Sequence, residues 1–120
     1  AFDYDSAALD LARKVVDQDA HLDMHPLEQV FLFLPFEHSE EMDDQTRSVE
    51  LYRILAGRCL APYEQVAQTA LDYANRHYDI IDRFGRFPHR NAILGRVSTP
   101  EEKAFLESGG DTFGVALPVD

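Results

Sequence analysis

The 120-residue chain suits one domain built around one core. Hydrophobic residues make up 45% and charged residues 28%, a globular balance that excludes a disordered polymer. The formal net charge of −11 repels phosphate backbones and anionic lipid, which excludes nucleic acid and membrane as general partners.

The spacing predicts a first helix from Ser6 to Ala20, capped by Asp5 or Ser6, with Ala8, Leu11, Ala12, Val15 and Val16 on its apolar face. His25-Pro26 ends an irregular stretch, and Pro26 suits the first turn of a second helix. Leu27 to Leu34 is apolar nearly all round, as a buried helix or a buried strand is; with helical neighbours and no strand partner in sight it reads as helix. Pro35 stops or kinks it.

Ser39 is the expected cap of a third helix, with Glu40, Glu41, Asp43 and Asp44 at its positive end and Val49, Tyr52, Leu55, Ala56 and Cys59 as its stripe. The fourth helix starts near Pro62. Tyr63, Val66, Ala67, Ala70, Tyr73, Ala74, His77, Ile80, Ile81 and Phe84 keep one face to its end at Gly85. Arg86 to Val97 reads as an ordered loop anchored by Phe87, Ile93 and Leu94. Thr99-Pro100-Glu101-Glu102 is a capping box that opens a short helix over Pro100 to Leu106. Ser108-Gly109-Gly110 is a break, and the tail from Asp111 to Asp120 is moderately apolar. The expected fold is all-α, antiparallel helical hairpins in a single domain over residues 1–120, with an Arg-rich loop before a short C-terminal helix.

Phe31-Leu32-Phe33-Leu34-Pro35-Phe36-Glu37-His38-Ser39-Glu40, with Asp44-Gln45 and Arg47-Ser48-Val49, forms one distinctive segment. His77, Ile80-Ile81, Arg83-Phe84-Gly85-Arg86-Phe87-Pro88-His89-Arg90-Asn91, Leu94-Gly95-Arg96 and Ser98-Thr99-Pro100-Glu101-Glu102 form another. Together they resemble the uncharacterised bacterial family catalogued as domain of unknown function nine-two-four, over Phe2 to Leu106. The resemblance implies a tetratricopeptide-like stack and no established activity. Family members carry further N-terminal helices, with an Asp-Gln-Phe-Pro-Arg-Asn stretch that nothing here matches. A stack without them leaves an apolar face for a second copy, so a homodimer is expected.

The charge is uneven. Residues 1–64 hold 14 acidic and 5 basic side chains, net −9, whereas residues 76–96 hold five arginines against Asp79 and Asp82, net +3. Arg83, Arg86, His89, Arg90 and Asn91 are the candidate ligand-binding residues, because guanidinium forks grip phosphate or carboxylate. The competing reading has the arginines pair with Asp43, Asp44, Asp79 or Asp82 to hold the loop in place.

Glu37 and His38 sit side by side before a helix start and are candidates for acid–base catalysis; otherwise Glu37 pairs with an arginine and His38 bonds to backbone. His77 falls on the fourth helix's apolar stripe, either as a core histidine or facing a polar pocket lined by His89 and Glu37. No metal site or cofactor is expected: His21 and His25 are four apart, but Pro26 biases His25 away from helix. Cys59, the one cysteine, reads as a buried structural thiol. It allows no intrachain disulfide, and the N-terminus lacks a signal-peptide pattern, so the expected location is the cytoplasm. The functional expectation is a protein- or peptide-interaction module. The alternative is a binding protein or enzyme for a small anionic metabolite, using the 83–96 loop with Glu37 and His38.

Overall fold

The computed structural model describes residues 5–110. The expectations for the 111–120 tail lie outside the described residues. Among the described residues every regular element is helical, and no helix is long and apolar enough to cross a membrane.

Helix α1 spans Asp5–Asp17 and stops before Ala20. Asp19 takes a left-handed backbone, φ 55°, which a short polar side chain tolerates, and a 3₁₀ turn follows over Ala20–Asp23. The buried line of α1 is Ala12 and Val16, with Leu9 packed beside them. Leu11 is 62% exposed, because it lies about 100° round the helix from Ala12.

Helix α2 spans Pro26–Leu32, and its cap is His25. The His25 Nδ1 accepts from Leu27 N–H at 3.1 Å while Glu28 accepts from His25 N–H at 3.0 Å, so an imidazole fills the place a serine usually takes. The helix breaks at Phe33, two residues ahead of Pro35, whose ring crowds the carbonyl four residues back. It resumes as one turn, α3, over Leu34–Glu37, and that turn buries Phe36 and Glu37.

Helix α4 spans Met42–Arg58. Ser39 is not its cap. Its Oγ accepts from Glu41 N–H at 3.1 Å and donates to Asp44 at 2.7 Å, bracing the approach to the helix. Gln45, Ser48, Tyr52 and Leu55 form the buried line. Helix α5 spans Glu64–Phe84 and ends at Gly85, where φ is 72°. A five-residue link makes α4 and α5 an antiparallel hairpin, and small Ala67 and Ala74 let the two axes approach.

The 86–97 segment is more ordered than a loop. It contains a 3₁₀ turn over Pro88–Arg90 and a helical turn, α6, over Asn91–Leu94. Phe87, Pro88, His89 and Asn91 anchor it, whereas Ile93 and Leu94 face solvent. Helix α7 spans Pro100–Glu107 with both halves of its capping box formed. The main core joins Ala12, Val16, Phe33, Phe36, Tyr52, Leu55, Ala67 and Ala74. A second cluster, Ile80, Ile81 and Phe87, sits at the far end of α5 with Met42, Phe84 and Phe105 against it.

Candidate functional site

The two distinctive segments meet in space. Glu40, at the approach to α4, accepts from Phe87 N–H at 2.6 Å and from both terminal nitrogens of Arg96 at 2.8 and 3.1 Å. Burial pushes the Glu40 carboxyl up, but the bonds from Arg96 and Phe87 outweigh it and the net direction is down. Arg90 donates to the His38 carbonyl at 2.9 Å, and its guanidinium lies over the Phe87 ring.

Arg86 grips Glu102 with two bonds, 2.8 and 2.6 Å, and donates to the Val97 carbonyl. That grip holds the Glu102 carboxyl down at about 2. Asn91 donates to Ser98 and accepts from Arg96, fully inside the fold. Arg83 lies over the rings of Phe84 and Phe105. The arginines thus hold the loop, but on different acids from those expected: Glu40 and Glu102, with Asp44 taken by Arg13 at 2.9 and 2.8 Å.

Beneath this clamp lies a different arrangement. The Glu37 side chain is 4% exposed and has no lysine or arginine partner among the described residues. Its neighbours are imidazoles: His38 Nε2 at 3.7 Å and His77 Nδ1 at 3.9 Å. With burial unopposed, the Glu37 carboxyl is pushed up to about 7. Burial, and then the Glu37 charge, pushes the Tyr52 phenol well above its usual range; its O–H donates to the Val30 carbonyl at 2.7 Å. Gln45 Oε1 and Ser48 Oγ are buried on the same face of α4 as Tyr52 and have no hydrogen-bond partner among the described residues.

His77 Nδ1 stands 2.8 Å from the Tyr73 carbonyl, which only accepts, so Nδ1 carries the hydrogen. Ring contacts extend the group from His77 to His38, 5.9 Å between centroids, and through Phe87 to His89. A shallow cleft of about 250 Å³ opens beside it, lined by Pro35, His38, Ser39, Glu40, Arg90 and Leu94 among others. Of the five ligand-binding candidates, Arg90 alone is among the residues that line it.

Glu37, His38 and His77 each offer a metal-ligand atom, all within 4.8 Å of one another, where the sequence suggested no metal. The fit is poor. Ligand atoms around a zinc ion at about 2.0–2.1 Å stand closer together than 3.7 and 3.9 Å, and His77 Nδ1 is held by Tyr73.

The other histidines and Cys59 stand apart. His21 is buried against Phe33, and His25 caps α2. Cys59 is half-buried just past α4, its thiol pushed up by burial. Sequence reasoning singled out Glu37, His38 and His77 but left open an arginine partner for Glu37, which none of the described residues supplies. The available signal was its register: Glu37 falls four residues after Phe33 and beside Phe36, on a face that is otherwise core.

An all-helical protein with a buried carboxyl–imidazole group clamped by an arginine loop is the class these features define. The chain belongs to the family described as bacterial protein of unknown function (DUF924), whose model matches residues 1–110. It is also similar to the solved protein of unknown function ATU0120 from Agrobacterium tumefaciens, at 36% identity and a TM-score of 0.76. That similarity covers 90% of this chain and 55% of the other, so this chain spans little more than half the length of its relative. No curated protein matches the chain.

Proposed function

We propose that Glu37, His38 and His77 form an acid–base site for a small polar molecule, with the 86–97 segment as its scaffold. One observation supports this reading: a carboxyl inside the fold with no lysine or arginine bonded to it among the described residues, beside two imidazoles. A group at about 7 gives and takes a proton with nearly equal ease at neutral pH. His38, half-exposed at the cleft, links Glu37 to solvent. Arg90, which lines the same cleft, suits an acidic group on the ligand, and this keeps the small-anion expectation at one residue.

The test is a thermal-shift screen with small carboxylates and phosphates on wild type and Glu37→Gln. A ligand at about 100 times its dissociation constant stabilises by about 2.7 kcal/mol. The reading expects such a shift in wild type and its loss in Glu37→Gln. A panel without any shift overturns it.

The second reading is the interaction module, within a tetratricopeptide-like stack and a cytoplasmic setting. Arg86 and Arg96 are engaged in internal ion pairs, as that reading requires. α2 packs on α5, and their exposed side chains include Leu27, Phe31, Val66 and Tyr73. A second copy of the chain covering this strip gives the expected homodimer. Light scattering over a concentration series tests it: a mass fixed at one chain, unchanged by Phe31→Ser, removes this reading.

A further inference from the structure

The turn between α3 and α4 carries Glu37 and His38, and side chains from other elements hold its backbone. α3 is a single turn ending at Glu37, so the carbonyls that follow have no helix to satisfy them. Among the described residues no backbone N–H reaches the carbonyls of Glu37, His38 or Ser39. Gln45, on α4 and without exposed surface, donates from Nε2 to the Glu37 carbonyl at 2.6 Å and to the Ser39 carbonyl at 2.7 Å. Arg90 donates to the carbonyl between them, that of His38, at 2.9 Å. Two side chains thus pin three consecutive peptide groups.

The Gln45 amide has one workable orientation. Flipping it sets Oε1 against two carbonyl oxygens with no hydrogen between them. In the orientation adopted, both Nε2 hydrogens are engaged by the turn, and Oε1 is left buried without a partner among the described residues. An unpaired buried oxygen costs stability. An apolar side chain avoids that cost but cannot bridge the two carbonyls, so a glutamine here serves the geometry of the turn.

That geometry decides where Glu37 points. Its carboxyl lies inside the fold, 3.7 Å from His38 Nε2, whereas His38 itself is half exposed. A turn released from Gln45 is free to swing the carboxyl out to water, where its charged form is better solvated.

We propose that Gln45 is a positioning residue of the acid–base site: its amide, together with Arg90, fixes the backbone at residues 37–39 and so keeps the Glu37 carboxyl inside the fold beside His38. The inference rests on the acid–base reading given above.

The experiment follows the Glu37 carboxyl carbon by NMR, from about pH 3 to about pH 9, in wild type, Gln45→Leu and Leu55→Ala. Wild type is expected to titrate at about 7. Gln45→Leu, similar in size but without donors, is expected to fall towards the ordinary 4.5. Leu55→Ala, which loosens the main core from the same helix, is expected to stay at the wild-type value. A wild-type midpoint near 4.5 overturns the acid–base reading and this inference with it. A midpoint near 7 in both wild type and Gln45→Leu overturns this inference alone and leaves the acid–base reading standing. A fall in Leu55→Ala as large as that in Gln45→Leu also overturns it, because general loosening then suffices. A measurement on wild type decides the matter if Gln45→Leu does not fold. The Gln45 side-chain amide protons are expected to exchange with water at least about tenfold more slowly than those of the exposed Gln65 and Gln68. Equal exchange rates mean that the amide does not hold the turn, and they overturn the inference.

Discussion

At the residue scale, Glu37 and Glu102 are two buried carboxyls with opposite surroundings. Glu37 sits beside imidazoles that do not offset its burial, and burial raises its pKa from the ordinary 4.5 to about 7. The folded state then binds more protons than the unfolded state between these values, so its contribution is fully present below about 4.5 and is lost as pH rises through about 7. The difference amounts to about 3 kcal/mol. Glu37→Gln keeps the shape and removes the titration. Urea unfolding is expected to show the variant gaining on wild type by that order between pH 5 and pH 8. Equal pH profiles would contradict the burial of an unpaired carboxyl. Glu102 works in the other direction. Arg86 holds it at about 2, so its contribution is present above about 4.5 and lost as pH falls towards 2. Arg86→Ala is expected to lower the melting temperature at pH 7 and to flatten the loss between pH 4.5 and 2, which calorimetry across that range reads directly. Neither environment is printed in the local sequence. Glu102 showed its capping role through Thr99-x-x-Glu102, but the Arg86 partner is 16 residues away.

At the scale of elements, the α4–α5 hairpin rests on small residues where the helices approach. Ala74 and Ala67 have almost no exposed surface, so a larger side chain has nowhere to go. Ala74→Leu is expected to destabilise by about 1–3 kcal/mol, measured as a lower urea midpoint with little change in slope. Helix existence was legible because it depends on local periodicity and on punctuation such as Gly85, Pro26 and the Thr99 capping box. Boundaries and faces were less legible. His25 caps α2 through a ring nitrogen, which capping preferences do not favour. The break at Phe33 depends on how Pro35 displaces the chain upstream of itself. Leu11 satisfies the helical spacing of α1 as well as Leu9 does, and only the position of the neighbouring helices decides which is covered.

At the scale of the molecule, the described residues form two apolar clusters, and α5 runs through both. Glu40 ties the second cluster's loop back to the first segment across gaps of 47 and 56 residues. No sequence pattern reports contacts at such separations, which is why Glu40 read as one more acid near a helix start. Removing its carboxylate leaves Arg96 and Phe87 N–H without the acceptor they share. Glu40→Ala is therefore expected to cost about 3 kcal/mol, the upper end for buried groups left unsatisfied. The damage should also be local. α4 and α5 keep their own packing through Tyr52, Leu55, Ala67 and Ala74, whereas Phe87 and the 86–97 segment lose their tether. Hydrogen exchange is expected to quicken over residues 86–98 by far more than over residues 67–80. If protection falls equally in both stretches, the two clusters unfold as one unit and Glu40 is an ordinary stabilising residue instead of the clamp that holds the loop over Glu37.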